Sequence, residues 1–241
     1  MTWRPEAAMV LAAGLGTRMR PLTDQVPKPL VRLGGRALID HALDRIADAG
    51  IRRAVVNVHY MADKIEAHVR SRKSPRIEIS DERDLLLDTG GGVVRALPRF
   101  GDKAFLVHNS DSVWIEGVGS NLARLADAWD ETRMDFLLLV ALSSLSLGYD
   151  GQGDFVLDAS GTLKRRPERQ QSPFVFTGVS IAHPRAFRDA PQGAFSLNRL
   201  WDRAIDAGRL YGVRMEGLWM HVGTPAALDE AEKALGRDDN A

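Results

Sequence analysis

Cysteine is missing from all 241 residues, which excludes disulfide bridges and thiol chemistry and fits, without requiring, a reducing compartment. An excess of either charge is missing too: Lys plus Arg and Asp plus Glu both number 32, and the formal net charge is zero. A neutral chain sets up no broad field to gather nucleic acid or a membrane surface, so neither is expected as a partner. No window approaches the roughly 20 apolar residues of a membrane span. The start, "MTWRPEAAMVLAAG", has no long apolar segment followed by a processing site, so a cytoplasmic protein is expected. Internal repeats and low-complexity linkers are lacking as well. What remains is 44% hydrophobic and 27% charged, enough to bury a core, in a chain of one or two domains' length.

Hydrophobic spacing alternates between two periods over the first 140 residues or so. "AAMVLAAG" (7–14), "RRAVVNVH" (52–59), "RIEIS" (76–80), "KAFLVHN" (103–109) and "MDFLLLVAL" (134–142) read as strands. "ALIDHALDRIADAG" (37–50), "MADKIEAHVR" (61–70), "GGVVRALPRF" (91–100) and "GVGSNLARLADAW" (117–129) read as helices, the first ended by Gly50 and the third stopped at Pro98. Strand and helix in turn predict a mostly parallel sheet covered on both faces. The second half is more mixed. "GDFVLD" and "GTLKRR" flank an Ala-Ser pair like a hairpin, "PFVFTGVSIAH" (173–183) and "LYGVRME" (210–216) are strands, and "LNRLWDRAIDAG" (197–208) and "PAALDEAEKAL" (225–235) are helices. One domain over 1–236 is expected, with halves at about 1–140 and 141–236 and a frayed tail at 237–241.

In open α/β sheets, ligands sit beyond the carboxyl ends of the strands. Three polar clusters fall there: Gly14–Lys28, Asp88–Gly92 and Asn109–Asp111. Glycines let a backbone approach a phosphate, and successive amides make an anion-binding hollow. Arg18 offers a planar fork and Lys28 a point charge, together able to neutralise a triphosphate. Asp111, at a strand exit, is placed to hold a magnesium ion against those phosphates. The glycine turn is not a P-loop, having no Gly-Lys-Ser/Thr. The dinucleotide fingerprint fails too, since Gly14 and Gly16 are followed by Thr17, Arg18 and Met19 without a third glycine in place. His59 and His108 are read as packing residues, and "RRPERQ" (165–170) as a solvated loop.

The whole stretch "LAAGLGTRMRPLTDQVPKPL" closely resembles the pattern of the sugar-1-phosphate nucleotidyltransferases, L-A-A-G-x-G-T-R-x-x-P-L-T followed by P-K-P. "DTGGG" resembles that family's E-T-G-G-G, and "VHNSD" its N-G-D metal-binding corner. "GDF", "FTGVSI" and "WMHVGTP" resemble further family segments in the same order, as far as about Ala231. The resemblance implies a Rossmann-like three-layer α/β/α fold with a mostly parallel mixed central sheet. It implies no β-helix domain of the kind that bifunctional acetyltransferase members carry. It also implies transfer of a nucleotidyl group: a sugar 1-phosphate attacks the α-phosphorus of a nucleoside triphosphate and pyrophosphate leaves.

Roles follow from the same resemblance. Arg18 stabilises the leaving pyrophosphate, and Lys28 contacts the phosphates near the reacting centre. Leu11, Ala12, Ala13, Gly14, Gly16, Thr17, Asp88, Gly90, Gly91 and Asn109 bind the nucleotide, and Asp111 binds Mg2+ (or Mn2+). Asp154 and Gly178 are expected at the sugar, with Glu168 and Asn198 as further candidates from the second half. Two departures stand out: Ser110 replaces the usual glycine before Asp111, and His221 replaces the family's second magnesium-binding aspartate, leaving His221 a poor second metal ligand. The short length and the segments "LVRLGGRALIDHAL", "GQGDF" and "VGTP" imply UTP with N-acetylmuramate 1-phosphate, as in cell-wall recycling. GTP with mannose- or heptose-1-phosphate, CTP with phosphocholine, and a non-catalytic nucleotide-sugar-binding regulator are the alternatives. The lactyl carboxylate of N-acetylmuramate would call for a cation, Arg165 or Arg166. A monomer or small homo-oligomer is expected.

Overall fold

A computed structural model describes residues 3–238, apart from the side chains at 237 and 238. In chain order the elements are β1 (Ala7–Leu11), β2 (Arg32–Leu33), β3 (Arg36–Ala37), α1 (Leu38–Asp48), β4 (Arg53–Val58), α2 (Ala62–Val69), β5 (Arg76–Asp81), α3 (Asp88–Ala96), β6 (Phe105–Asn109), β7 (Ser112–Glu116) and α4 (Asn121–Asp127). Then come β8 (Phe136–Leu142), β9 (Phe155–Leu157), β10 (Leu163–Arg165), β11 (Phe174–Ala182), α5 (Asn198–Asp206), β12 (Leu210–Arg214), β13 (Gly217–His221) and α6 (Pro225–Asp238). Among the described residues no helix is long and apolar enough to cross a membrane.

The main sheet is mixed. Strands β5, β4, β1 and β6 lie parallel in that order. β11 joins β6 antiparallel and takes β8 along its opposite edge; at Phe174 the β9–β10 ribbon pairs on the edge away from β8. β12 closes the far side parallel to β8. Buried strands show both faces apolar. In β1, Ala8 and Val10 pack with Ile39, Leu43 and Ile65 of α1 and α2, while Ala7 and Met9 pack with Val93 of α3. Leu200, Trp201 and Ala204 put α5 on the α3 side, and Leu122 and Leu125 put α4 on the other. The three layers expected from the resemblance are therefore present. Gly50 (φ 80°) and Gly208 (φ 65°) follow α1 and α5 in the left-handed conformation that ends a helix.

Sequence reading and structure part at four places. α3 begins at Asp88, so the "DTGGG" cluster is its first turn and not a loop before it. α4 is only Asn121–Asp127, capped by the Ser120 hydroxyl accepting from Ala123 N at 3.3 Å. The last helix runs to Asp238, beyond 235, and of the tail expected to fray 239–241 lie outside the described residues. The fourth difference is an unforeseen pair of strands. β7 and β13 form an antiparallel arm, with Ser112 opposite His221, and bury Val113 and Met220 against Met19, Val31, Leu33 and Ala231.

Candidate active site

Four backbone exits converge at the carboxyl end of the parallel strands. The Ser110 amide donates to the Leu11 carbonyl (3.0 Å), tying the end of β6 to that of β1. The Ala12 amide donates to Asn57 Oδ1 (2.7 Å), tying the glycine turn to β4. Asn57 Nδ2 in turn donates to Glu82 Oε1 (2.7 Å), and the Glu82 carbonyl accepts from the Leu85 amide (3.0 Å), fixing the loop that leads into α3. Asn57 and Glu82 are buried, and a Cβ at Gly92 would stand 2.8 Å from both, so α3 rests directly on this pair. Burial pushes the Glu82 carboxyl above its usual range, against the pull of the Asn57 hydrogen bond.

The glycine turn keeps its shape by a local lock. Gly16 has φ 65°, and a Cβ there would meet Lys28 Cβ and Thr23 Cγ2 at 3.0 Å. The Thr23 hydroxyl donates to the Gly16 carbonyl at 2.8 Å. Around the turn lies a cavity of about 410 Å³. Leu11, Ala12, Ala13, Gly14, Gly16, Thr17, Arg18, Lys28, Asp88, Asn109 and Asp111 all line it. Arg18 is exposed and, among the described residues, makes no ion pair or hydrogen bond through its guanidinium. Lys28, mostly buried, is bonded to Asp111 Oδ2.

These charges set each other's state. Burial opposes ionisation of Asp111, but the Lys28 ammonium offsets it, and the carboxyl lies below its usual range. His221 sits beside this pair at the end of β13. Burial, helped by the Lys28 and Arg18 charges, lowers its pKa against the pull of Asp111, so the imidazole is neutral at pH 7. Its ring packs edge-on to Tyr149 at 6.1 Å and lies 5.5 Å from Trp219. Among the described residues no group of three or more His, Asp or Glu is placed to hold a metal ion by itself.

A second cavity, of about 230 Å³, shares Asp88, Thr89 and Asn109 with the first. Its other walls include Asp154 and Asn198, both expected at the sugar, and Arg165, Phe176 and Trp201. Asp154 is held by the Phe176 amide, which donates to Oδ2 at 2.9 Å. Five expected residues line neither cavity, His221 among them. Glu168 is on an exposed turn. Gly178 is buried in β11, where its φ of 89° and lack of a Cβ make room for Asn109. The Gly90 and Gly91 amides already donate to the Phe195 carbonyl (2.8 and 3.2 Å), and a Cβ on Gly90 would fall 2.3 Å from the Phe195 ring. Those glycines serve close packing at the start of α3. Asn57 and Thr89 were missed, although Asn57 is a polar residue at the exit of an expected strand and Thr89 lies inside "DTGGG".

Residues 7–238 match the Nucleotidyl transferase family, and the chain belongs to it. It is 50% identical over 239 residues to the N-acetylmuramate alpha-1-phosphate uridylyltransferase of Caulobacter vibrioides, covering 98% of this chain and 99% of that one. It is 34% identical to the protein of that name from Neisseria meningitidis serogroup B, covering 95% and 98%. Among solved structures, the inositol-1-phosphate CTP transferase of T. maritima superposes with a TM-score of 0.78 at 19% identity, each chain covered to 97%. At that identity the likeness establishes the fold.

Proposed function

We infer that the chain joins UTP and N-acetylmuramate 1-phosphate into UDP-N-acetylmuramate and pyrophosphate, a step of cell-wall recycling. The observation that carries the reaction class is the gathering of Arg18, Lys28 and Asp111 in one cavity that shares three wall residues with a second, smaller one. The full-length similarity to relatives of that named activity supports the choice of substrates. A phosphate oxygen of the sugar phosphate forms a bond to the α-phosphorus, the bond to the bridging β-oxygen breaks, and its electrons leave with pyrophosphate. The attacking phosphate is already ionised, so no general base is needed. Catalysis is then positioning and charge neutralisation of two polyanions.

Arg18, exposed and without a guanidinium partner among the described residues, is free to close on the leaving phosphates. Lys28 is held in place by Asp111 and meets the phosphates near the point of attack. The amides after β1 hold nucleoside and phosphate, with Asn57 fixing that of Ala12. A divalent cation fits this donor set through Asp111, since magnesium takes few protein carboxylates and fills its shell with phosphate oxygens and water. When bound it supplies further neutralisation of the triphosphate. Asp111 would hold it, with neutral His221 alongside.

Pyrophosphate release, with each common NTP crossed against N-acetylmuramate, N-acetylglucosamine and mannose 1-phosphates, tests the reading. UTP with N-acetylmuramate 1-phosphate should be fastest. A faster pair of other substrates replaces these substrates, and no turnover with any pair overturns the enzymatic reading.

A further inference from the structure

The second cavity holds one cation in a built setting. Arg165 ends β10 opposite Phe155 of β9. Its guanidinium lies 4.9 Å over the Phe155 ring and 5.9 Å from that of Trp201. Nε donates to Asp202 Oδ1 at 2.6 Å, and Nη2 to the carbonyl and Oδ1 of Asn198 at 3.2 and 2.9 Å. Asn198 and Asp202 are four apart on α5, so the guanidinium is clamped along the first turns of that helix over two aromatic rings. Nη1 takes no part in these bonds. Arg166, the next residue, is spent elsewhere: Nε donates to the Gly153 carbonyl (3.1 Å) and Nη1 to that of Gln170 (2.8 Å). At the end of β10, then, one arginine goes to the cavity and the next to the turn behind it.

A guanidinium held flat, with donors left over, fits a planar carboxylate. Asp202 does not use up that capacity, because its side chain is 56% exposed and well screened. The shared wall of Asp88, Thr89 and Asn109 runs from the Lys28–Asp111 pair to this arginine. A sugar whose 1-phosphate lies at Lys28 thus turns its far substituents toward Arg165. N-acetylmuramate differs from N-acetylglucosamine by a lactyl ether at O3, and that ether ends in a carboxylate.

We propose that Arg165 reads the lactyl carboxylate of the acceptor and so sets the preference for N-acetylmuramate over N-acetylglucosamine 1-phosphate. This rests on the function proposed above. The test is kcat/KM for both sugars at saturating UTP, in the parent and in Arg165→Gln and Arg165→Lys, with KM for UTP as the control. The parent should prefer the muramate. Arg165→Gln should shrink that ratio on the order of 10- to 100-fold, mostly through the muramate, with Arg165→Lys between the two. A third substrate guards against a variant that folds poorly. N-acetylmuramate 1-phosphate with its carboxylate converted to an amide should lose a similar factor on the parent itself. If the parent prefers the muramate but the glutamine variant keeps the ratio, or the amide is used as well as the acid, Arg165 is not the reader and the substrate reading stands. If the parent uses both sugars equally, substrate reading and inference fall together.

Discussion

Asn57→Ala isolates the device that holds the nucleotide turn. In the parent, the Ala12 amide and one oxygen of Glu82 both end on the Asn57 side chain at 2.7 Å, and all three residues are at most 3% exposed. Truncation leaves a buried amide and a buried carboxylate oxygen without that partner. Each costs about 1–3 kcal/mol, more for the charged one, so a loss on the order of 3–5 kcal/mol is expected. The loss should depend on pH. Burial already raises the Glu82 pKa in the folded state, so this group favours folding at low pH and the contribution disappears as pH rises through the folded value. Removing Asn57 removes a bond that favours the ionised form, and the folded pKa rises further. The stability deficit of the variant should therefore grow from pH 5 to pH 8. Urea unfolding at both values measures it, and KM for UTP should rise because Ala12 lines the phosphate cavity. A deficit under about 1 kcal/mol, or one that stays flat with pH, would refute the network as a support for the turn.

Other changes separate charge from scaffold. Arg18→Ala, in an exposed loop, should leave the urea midpoint almost unmoved while kcat falls about 10²–10³-fold; near-parental turnover contradicts its role. Asp111→Asn should abolish turnover at ordinary magnesium, whereas His221→Asp, which adds a hard oxygen next to Asp111, should lower the magnesium needed for half-maximal rate; a higher requirement counts against the cation site. His108 is buried against Trp114 with its pKa lowered to about 4, so the unfolded chain takes up this proton first and stability falls as pH drops from about 6.5 to about 4. At about 1.4 kcal/mol per tenfold change in proton affinity, that term is on the order of 3 kcal/mol. His108→Phe should flatten the decline, and equal slopes in the two proteins argue against it.

The first cavity was legible because its wall is written in one contiguous piece: Leu11 to Lys28 turns on the spot, and nine of the residues that line it come from that stretch. Asp111 reaches the same cavity by a similar rule, a polar residue leaving a strand. "DTGGG" misled because three glycines are poor helix formers. The tight seat against Phe195 and Gly193, more than a hundred residues later in sequence, demands them in a helix, and no local propensity reports that. The strands of the arm, "SVWIE" and "GLWMH", are short and find each other across most of the second half of the chain, so neither announced its partner. In the sugar region, charge alone could not rank Glu168, Arg165 and Arg166. Which of them faces α5 is decided by where β10 ends, and Glu168 falls just past it on an exposed turn.

The arm also fixes an order of assembly. The glycine turn, Arg18, Lys28 and the parallel strands β1, β4 and β6 are all made by Asn109. The strand that follows Asp111, however, finds its ladder partner among the described residues in Gly217–His221, nearly the last segment before the final helix. A growing chain therefore completes the cationic side of the cleft well before β7 gains its partner in the arm. Before β13 pairs, Ser112 already has the Thr177 carbonyl of β11 as a partner, and the ladder to β13 adds to that hold. A product shortened before Gly217 would keep the phosphate turn and the bond from Ser112 to Thr177 yet lack the strand that pairs with β7.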